Sequence, residues 1–360
     1  MTRQLIVLLG RKDEPTDAVE EYCRYLGDAL QVHEFQMQIR RVPWKLHGWR
    51  QSLRALRLQS AAWRDTWVMV QYTALAWSAR GFPLRFPRVL RLLKSFGARV
   101  AVVFHDVEPF SSPRLIDRLR HRVQSRTMGR ALDLVDLAIF TVPPEKLSWL
   151  KTIPSNAAFI PVGANLPFPE VITTQRSGDI PTVGVFSITG GEQGARETQH
   201  ILAAVQHAAR KLGRIRLSVF GRHSELREEA LRQGLQNCPV ELCIEGVVDP
   251  EQVVHRLAAC DMLLFVRNGI STRRSSAIAG IAAGLPVIAC PNSETAPPIT
   301  DAGVILVSPG DPSQLNEAIV RVLSDAILRA ELSARSRAAY KAHFAWPAIA
   351  ERYATLLNSR

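Results

Sequence analysis

Short apolar runs alternate along this chain with stretches in which apolar residues recur every three or four positions. The runs have the length of buried strands, and the recurrences have the period of helices packed on one face. Residues 5–9 predict a strand, and residues 17–30 an amphipathic helix with Val19, Tyr22, Cys23, Leu26 and Leu30 on one side, entered through Asp17 as its N-cap. Further strands are predicted at 66–71, 99–104, 137–141 and 158–161, with helices at 87–96 and 113–128 that open on proline. The polar, proline-bounded segment 170–181 reads as a linker, after which the alternation restarts. Strands follow at 182–187, 216–220, 240–244, 262–266, 286–289 and 304–307, with helices at 197–212, 225–234, 250–259, 276–283, 312–323 and 326–343. A last helix, 347–357, is set off by Ala345-Trp346-Pro347. This βαβα order predicts two doubly wound, Rossmann-like α/β domains: residues 1–167, a linker over 168–181, a second domain over 182–344, and a terminal helix over 345–360.

Size and composition agree. At 360 residues, with 47% hydrophobic and 22% charged, the chain has enough apolar material for two cores. No run approaches the ~18 uncharged apolar residues of a spanning helix. The N-terminal apolar core is too short for a secretory signal and lacks a small-residue cleavage site. Neither an integral membrane protein nor a secreted one is expected. Cys23, Cys238, Cys243, Cys260 and Cys290 are odd in number, lie in apolar settings and keep no metal-ligand spacing. They read as buried thiols in a cytoplasmic protein, and no metal is expected.

Charge adds an asymmetry. The net charge is +12, but residues 1–167 hold 25 Lys and Arg against 14 Asp and Glu, leaving 20 against 19 for the rest. Between Arg40 and Arg130 stand 19 basic residues against only Asp65, Asp106, Glu108 and Asp117. The first half is therefore the half expected to meet an anionic surface.

Several phrases carry a family resemblance. FIPVGANLP (159–167), AGLPVIAC (283–290), GVILVSPGD (303–311), HFAWPAIAERYATLL (343–357) and ARVAVVFHDVEPF (98–110) resemble, in order and spacing, the signature segments of family-4 glycosyltransferases with the GT-B fold. An epimerase on the same fold fits the crossover and terminal phrases less well. The resemblance implies two Rossmann-like domains facing a cleft, with the terminal helix crossing back to the first. It also implies an acceptor-side first domain, a donor-side second domain, and retaining, metal-independent transfer from a nucleotide diphosphate sugar, with no further cofactor. Two departures stand out. The family's Glu-x7-Glu carboxylates fall here on Ser271 and Ala279, and the Arg and Lys that usually hold the diphosphate are replaced by VFSITGGEQGAR (185–196).

The candidate site follows. Ser271, Thr272, Arg273, Arg274 and Ser275 sit between a strand and a helix, on the ligand edge of an open parallel sheet, where arginine forks and helix N–H groups suit a diphosphate. An N-cap with solvated arginines is the alternative. Gly190 and Gly191 between strand and helix allow close backbone approach to a phosphate, or are an ordinary turn, and Arg222 ends the next strand. By the resemblance, His105 and Asp106 lie near the transferred sugar as the catalytic candidates, and Gly10 and Arg11 form the corresponding loop of the first domain. No carboxylate stands out as a general base.

The stretch from 40 to 67 places Trp44, Trp49 and Trp63 among Arg50, Arg54 and Arg57, with Leu46, Trp49, Leu53 and Leu56 forming one helical face. Tryptophan with arginine is the composition of a segment lying on an anionic bilayer. The alternative is packing of the apolar residues on the domain core. Nucleic acid is disfavoured as a partner, because long apolar side chains interrupt the basic stretch and no binding motif occurs. Two functions are therefore expected to compete. One is a cytoplasmic, peripherally attached transferase acting on a lipid-linked or polysaccharide-precursor acceptor. The other is a transferase-like scaffold that binds a nucleotide sugar, or less readily nucleic acid, without chemistry.

Overall fold

The computed structural model describes residues 2–14, 17–169 and 180–359. Most of the expected linker, residues 170–179, lies outside them. The chain divides into two compact units, Met1–Val162 with Trp346–Arg360, and Gly163–Ala345. No helix among the described residues is long and apolar enough to cross a membrane.

The first unit is built on β1 (Arg3–Leu9), β2 (Phe35–Arg41), β3 (Trp67–Tyr72), β4 (Arg99–Phe104), β5 (Leu137–Phe140) and β6 (Ala157–Phe159), with helices α1 (Ala18–Leu30), α2 (Trp44–Ser60), α3 (Phe86–Ser95) and α4 (Leu115–Leu132). The strands form one parallel sheet in the order β2-β1-β3-β4-β5-β6. Strand β3 is buried along its length, and β4 everywhere but at Arg99, as unbroken apolar runs in a sheet covered on both faces should be. Strand β2, not expected from the sequence, pairs only with β1. Its half-exposed Gln and Arg residues break the apolar run that would have marked it.

The second unit repeats the plan with β7 (Thr182–Phe186), β8 (Ile215–Phe220), β9 (Val240–Ile244), β10 (Met262–Phe265), β11 (Val287–Ala289) and β12 (Val304–Leu306). Around them lie α5 (Gly191–Leu212), α6 (Glu228–Leu235), α7 (Pro250–Ala258), α8 (Ser275–Ala282), α9 (Pro312–Ser324) and α10 (Ala326–Ala339). The sheet order is β12-β11-β10-β7-β8-β9, again all parallel. The last helix, α11 (Trp346–Asn358), belongs to the first unit and packs on α1. The Tyr22 and Tyr353 hydroxyls meet at 2.8 Å, Trp346 stacks on Tyr25, and the Trp67 indole N–H donates to the Leu357 carbonyl.

Helix α2 corrects the expected membrane contact. Trp44 and Trp63 are buried and Trp49 is packed against the same core. The Trp44 indole donates to the Ala76 carbonyl at 2.7 Å and its ring stacks on Trp49. Tryptophans satisfied in this way are not available to a bilayer. The expected apolar face also breaks, because Gly48 takes a left-handed φ of 72° inside the helix. That kink turns Leu46 out to solvent while Leu56 stays in the core and Leu53 packs against it. Arg50, Arg54 and Arg57 remain exposed.

Candidate functional site

Each sheet has a point where successive connections leave in opposite directions, and the carboxyl ends of the strands there open a crevice. In the second unit β7 leads through α5 to β8 on one side, and its other neighbour β10 leads through α8 to β11 on the other. The loops after β7 and β10 therefore define the crevice. Gly190 caps α5 and Gly191 has φ of 65°, a left-handed value that glycine adopts freely. Gly194 is fixed by contact, since a Cβ there would lie 1.7 Å from the Thr189 carbonyl oxygen. Glu197, fully buried nearly two turns into α5, accepts from the Thr189 N–H at 2.8 Å and so holds this loop to its own helix.

Across the crevice stands Arg267, two residues past the end of β10. Its Nε approaches the Thr189 hydroxyl at 3.4 Å and its Nη1 the Ser276 hydroxyl at 3.5 Å. Burial pushes this guanidinium below its ordinary pKa; the Glu197 carboxylate opposes that shift, and the like charge of Arg222 adds to it. Arg222, after β8, donates its backbone N–H to the Ser187 hydroxyl, and its carbonyl accepts from Ile188. Arg267, Arg222 and Glu197 thus stand close enough to influence one another beside the α5 entrance. A hollow of about 290 Å³ adjoins it, lined by Val266, Asn268, Gly269, Cys290, Val307 and Pro309 among others.

The Ser271–Ser275 segment is arranged differently from the expected diphosphate site. Ser271 and Thr272 are fully buried. Arg273 grips Glu294 in a two-pronged pair, Nε to Oε2 at 2.7 Å and Nη2 to Oε1 at 2.6 Å. The Ser271 hydroxyl donates to the same carboxylate at 3.0 Å. Burial raises the Glu294 pKa, but Arg273, with Arg274 and Ser271, outweighs it and holds the carboxyl below its ordinary value. The first two residues and Arg273 are therefore part of the loop's framework, which corrects the expectation that they face a donor. Arg274 is the N-cap of α8 and Ser275 its first residue, both partly exposed. Ala279, the second of the positions where the resemblance expects a carboxylate, is buried in the core.

In the first unit the corresponding crevice lies between β1 and β3. Gly10 follows β1 so closely that a Cβ would lie 2.3 Å from the Ala76 carbonyl oxygen, which accepts from the Arg11 N–H at 2.8 Å. His105 ends β4, half-buried, with Nε2 2.8 Å from the Gln71 amide oxygen and its ring edge-on to Tyr22. Asp106 accepts from the Ala74 N–H at 2.7 Å and so shapes the loop that carries Ala76. A larger hollow, about 800 Å³ between α1 and β2, lies toward the amino ends of the strands, away from these residues. Among the described residues no three His, Cys, Asp or Glu side chains gather as metal ligands.

Sequence reasoning missed Arg267, Glu197 and Glu294. Arg267 had a signal, a charged residue immediately after a wholly apolar strand. Glu294 had none, because its partners lie on another loop and meet it only in the folded sheet.

Two parallel, doubly wound units, each with a crevice at its switch point, define a two-domain Rossmann-like α/β class. Residues 185–325 match the family described as glycosyl transferases group 1. Comparison with curated protein sequences gives no match. Among solved structures, sucrose-phosphate synthase from Thermosynechococcus elongatus superposes with a TM-score of 0.70 at 17% identity, covering 99% of this chain and 98% of that one. Anabaena HepE, solved in complex with UDP and glucose, gives 0.67 at 15% identity over 99% and 100%. WaaG, a glycosyltransferase involved in lipopolysaccharide biosynthesis, gives 0.58 at 14% identity over 99% and 100%. The chain thus shares the two-domain GT-B fold of these structures, and within its second unit residues 185–325 match the group 1 glycosyl transferases.

Proposed function

We propose that this enzyme moves a sugar from a nucleotide diphosphate sugar to a lipid-linked or polysaccharide-precursor acceptor, from the cytoplasmic side and by a retaining, metal-independent route. The observation that carries the reading is the half-buried Arg267 set between the Thr189 and Ser276 hydroxyls, at the entrances of α5 and α8 and inside the segment that matches the group 1 family. A leaving diphosphate needs charge stabilisation, and two guanidinium groups with the N–H groups of a helix start supply it. Glu197 fixes the loop and helps keep Arg267 charged despite its burial. The adjoining hollow, largely apolar with Asn268 among its lining residues, has the size of a nucleoside. HepE was crystallised with UDP and with UDP-glucose, which makes a uridine donor the first to test. On the acceptor side, His105 stands at the carboxyl edge of its sheet against Gln71 and Tyr22, and Asp106 holds the Ala74 N–H of the loop whose Ala76 carbonyl meets Gly10 and Arg11.

A second reading, a scaffold that binds donor without transfer, is favoured by one observation. The positions where the resemblance expects carboxylates are Ser271 and Ala279, both buried. Against it stands the match of residues 185–325 to the group 1 family. Thermal shift across UDP-, GDP-, ADP- and TDP-sugars, followed by release of the free nucleotide diphosphate, separates the two. Transfer or slow hydrolysis supports the enzyme, stabilisation without release supports the scaffold, and no stabilisation by any donor overturns both.

A further inference from the structure

Burial of the tryptophans leaves the basic first unit without its expected apolar contact, yet the surface supplies another. Leu84 is 64% exposed, Phe110 51%, Leu115 79%, Ile116 51% and Leu119 52%. These five are not scattered. Leu115, Ile116 and Leu119 share one outward face of the first turns of α4, and Arg114, Arg118 and Arg122 run beside them at a spacing of four. Arg120 ties the neighbouring segments to this helix. It donates to the Arg80 carbonyl at 3.0 Å and lies over the rings of Phe82 and Phe110, 5.5 and 5.3 Å from their centres. Gln124 completes the tie, accepting from the Phe110 N–H and donating to the Gly81 carbonyl. Loop 80–85 and segment 110–119 are therefore tied into one crest.

The charge around that crest has one sign. Arg80, Arg85, Arg88, Arg114, Arg118 and Arg122 are exposed. The nearby acids are taken up: Asp117 is buried and paired with Arg120, Asp106 holds Ala74, and Glu108 accepts from Ser148. Both segments also follow the carboxyl ends of β3 and β4, the edge of the sheet on which His105 stands.

We propose that this crest, Leu84 with Phe110 to Leu119, is the surface by which the protein seats on an anionic lipid bilayer, the leucines and phenylalanine entering the interface and the arginines meeting lipid headgroups. Exposed apolar side chains ringed by like-charged arginines fit an interface that is apolar within and negative at its surface. The contact refines the acceptor side of the proposed function and takes its purpose from that reading, but it is tested without turnover.

The test is co-sedimentation of the full chain with vesicles of equal parts phosphatidylglycerol and phosphatidylcholine, against phosphatidylcholine alone. The protein should pellet with the first and largely stay in solution with the second. The triple variant Leu115→Ser, Ile116→Ser, Leu119→Ser should lower partitioning about tenfold. The α2 double variant Arg54→Glu, Arg57→Glu should change it by no more than about twofold to threefold. Substitution at exposed positions should spare the fold, which unfolding curves and stabilisation by UDP-glucose check on the same samples. Wild-type partitioning by the triple variant, abolition by the α2 variant alone, or a wild-type chain that ignores anionic vesicles at low salt each overturns the proposal. So does a dimer in solution that the triple variant dissolves, since the crest would then be an interface between copies. Vesicle binding without any response to UDP-glucose would count against the uridine donor and leave the lipid contact standing.

Discussion

Replacing Glu294 by Gln should destabilise the second unit without removing the donor's charge partners. The carboxylate is 6% exposed and receives three hydrogen bonds, two from Arg273 and one from Ser271, while Arg273 is itself 22% exposed. The amide keeps the shape but leaves a largely buried guanidinium without its counter-charge. Breaking one side of a buried ion pair costs ~3–5 kcal/mol, and the residual exposure of Arg273 puts the expectation at the lower end, about 3 kcal/mol. For a unit of this size that corresponds to a fall of roughly 6–12 °C in Tm. The loss should be coupled, so that adding Arg273→Met to Glu294→Gln costs less than the two single changes together by at least about 1.5 kcal/mol. The pH dependence has a definite sign. Because the folded carboxyl titrates below its ordinary value of 4.5, its contribution is present above that value and is lost as pH falls through the folded value. The gap between wild type and Glu294→Gln should therefore be full at neutral pH and close in acid. Urea unfolding followed at several pH values measures all of this. A single-variant loss below about 0.5 kcal/mol, or strict additivity, would refute the framework role of Arg273.

The remaining predictions concern the two crevices. Arg267→Ala should weaken binding of the nucleotide diphosphate sugar by about 1.5–3 kcal/mol, with a smaller loss for Arg222→Ala, as titration calorimetry would record; unchanged affinity in the double variant would remove the assigned diphosphate site. His105→Ala should lower kcat more than it lowers donor affinity, since His105 stands in the other unit from the donor crevice; turnover equal to wild type would leave His105 a structural residue. Gly10→Ala should fold poorly or lose about 2 kcal/mol or more, because a Cβ meets a backbone carbonyl oxygen rather than a side chain that can move; an unaltered Tm would contradict the close approach. Tyr353→Phe should cost about 1 kcal/mol by leaving the buried Tyr22 hydroxyl without its partner, read as a lower unfolding midpoint of the first unit.

The architecture of this protein is written in local patterns. Apolar strand runs and helix-period stretches involve neighbours in the chain, so the βαβα alternation, every strand but the half-exposed edge strand β2, and the N-cap at Asp17 are legible from residue order alone. The same patterns locate the glycine turn before α5 and the ligand edge of the second sheet, because parallel topology puts both at strand carboxyl ends. Which side chains use those places is settled by packing in three dimensions. Arg273 is legible as an arginine at a helix entrance. Its engagement by Glu294 depends on two loops, after β10 and after β11, that the chain leaves 21 residues apart. The tryptophans of α2 have the composition of a membrane segment, but burial depends on what packs opposite, and Ala76 and Trp77 close over them. The Gly48 kink settles which leucine of that helix faces out, a backbone choice that helical periodicity does not encode. Composition reports how much apolar and basic surface a chain owns; only the packing of elements distant in sequence decides which part of it is left facing water.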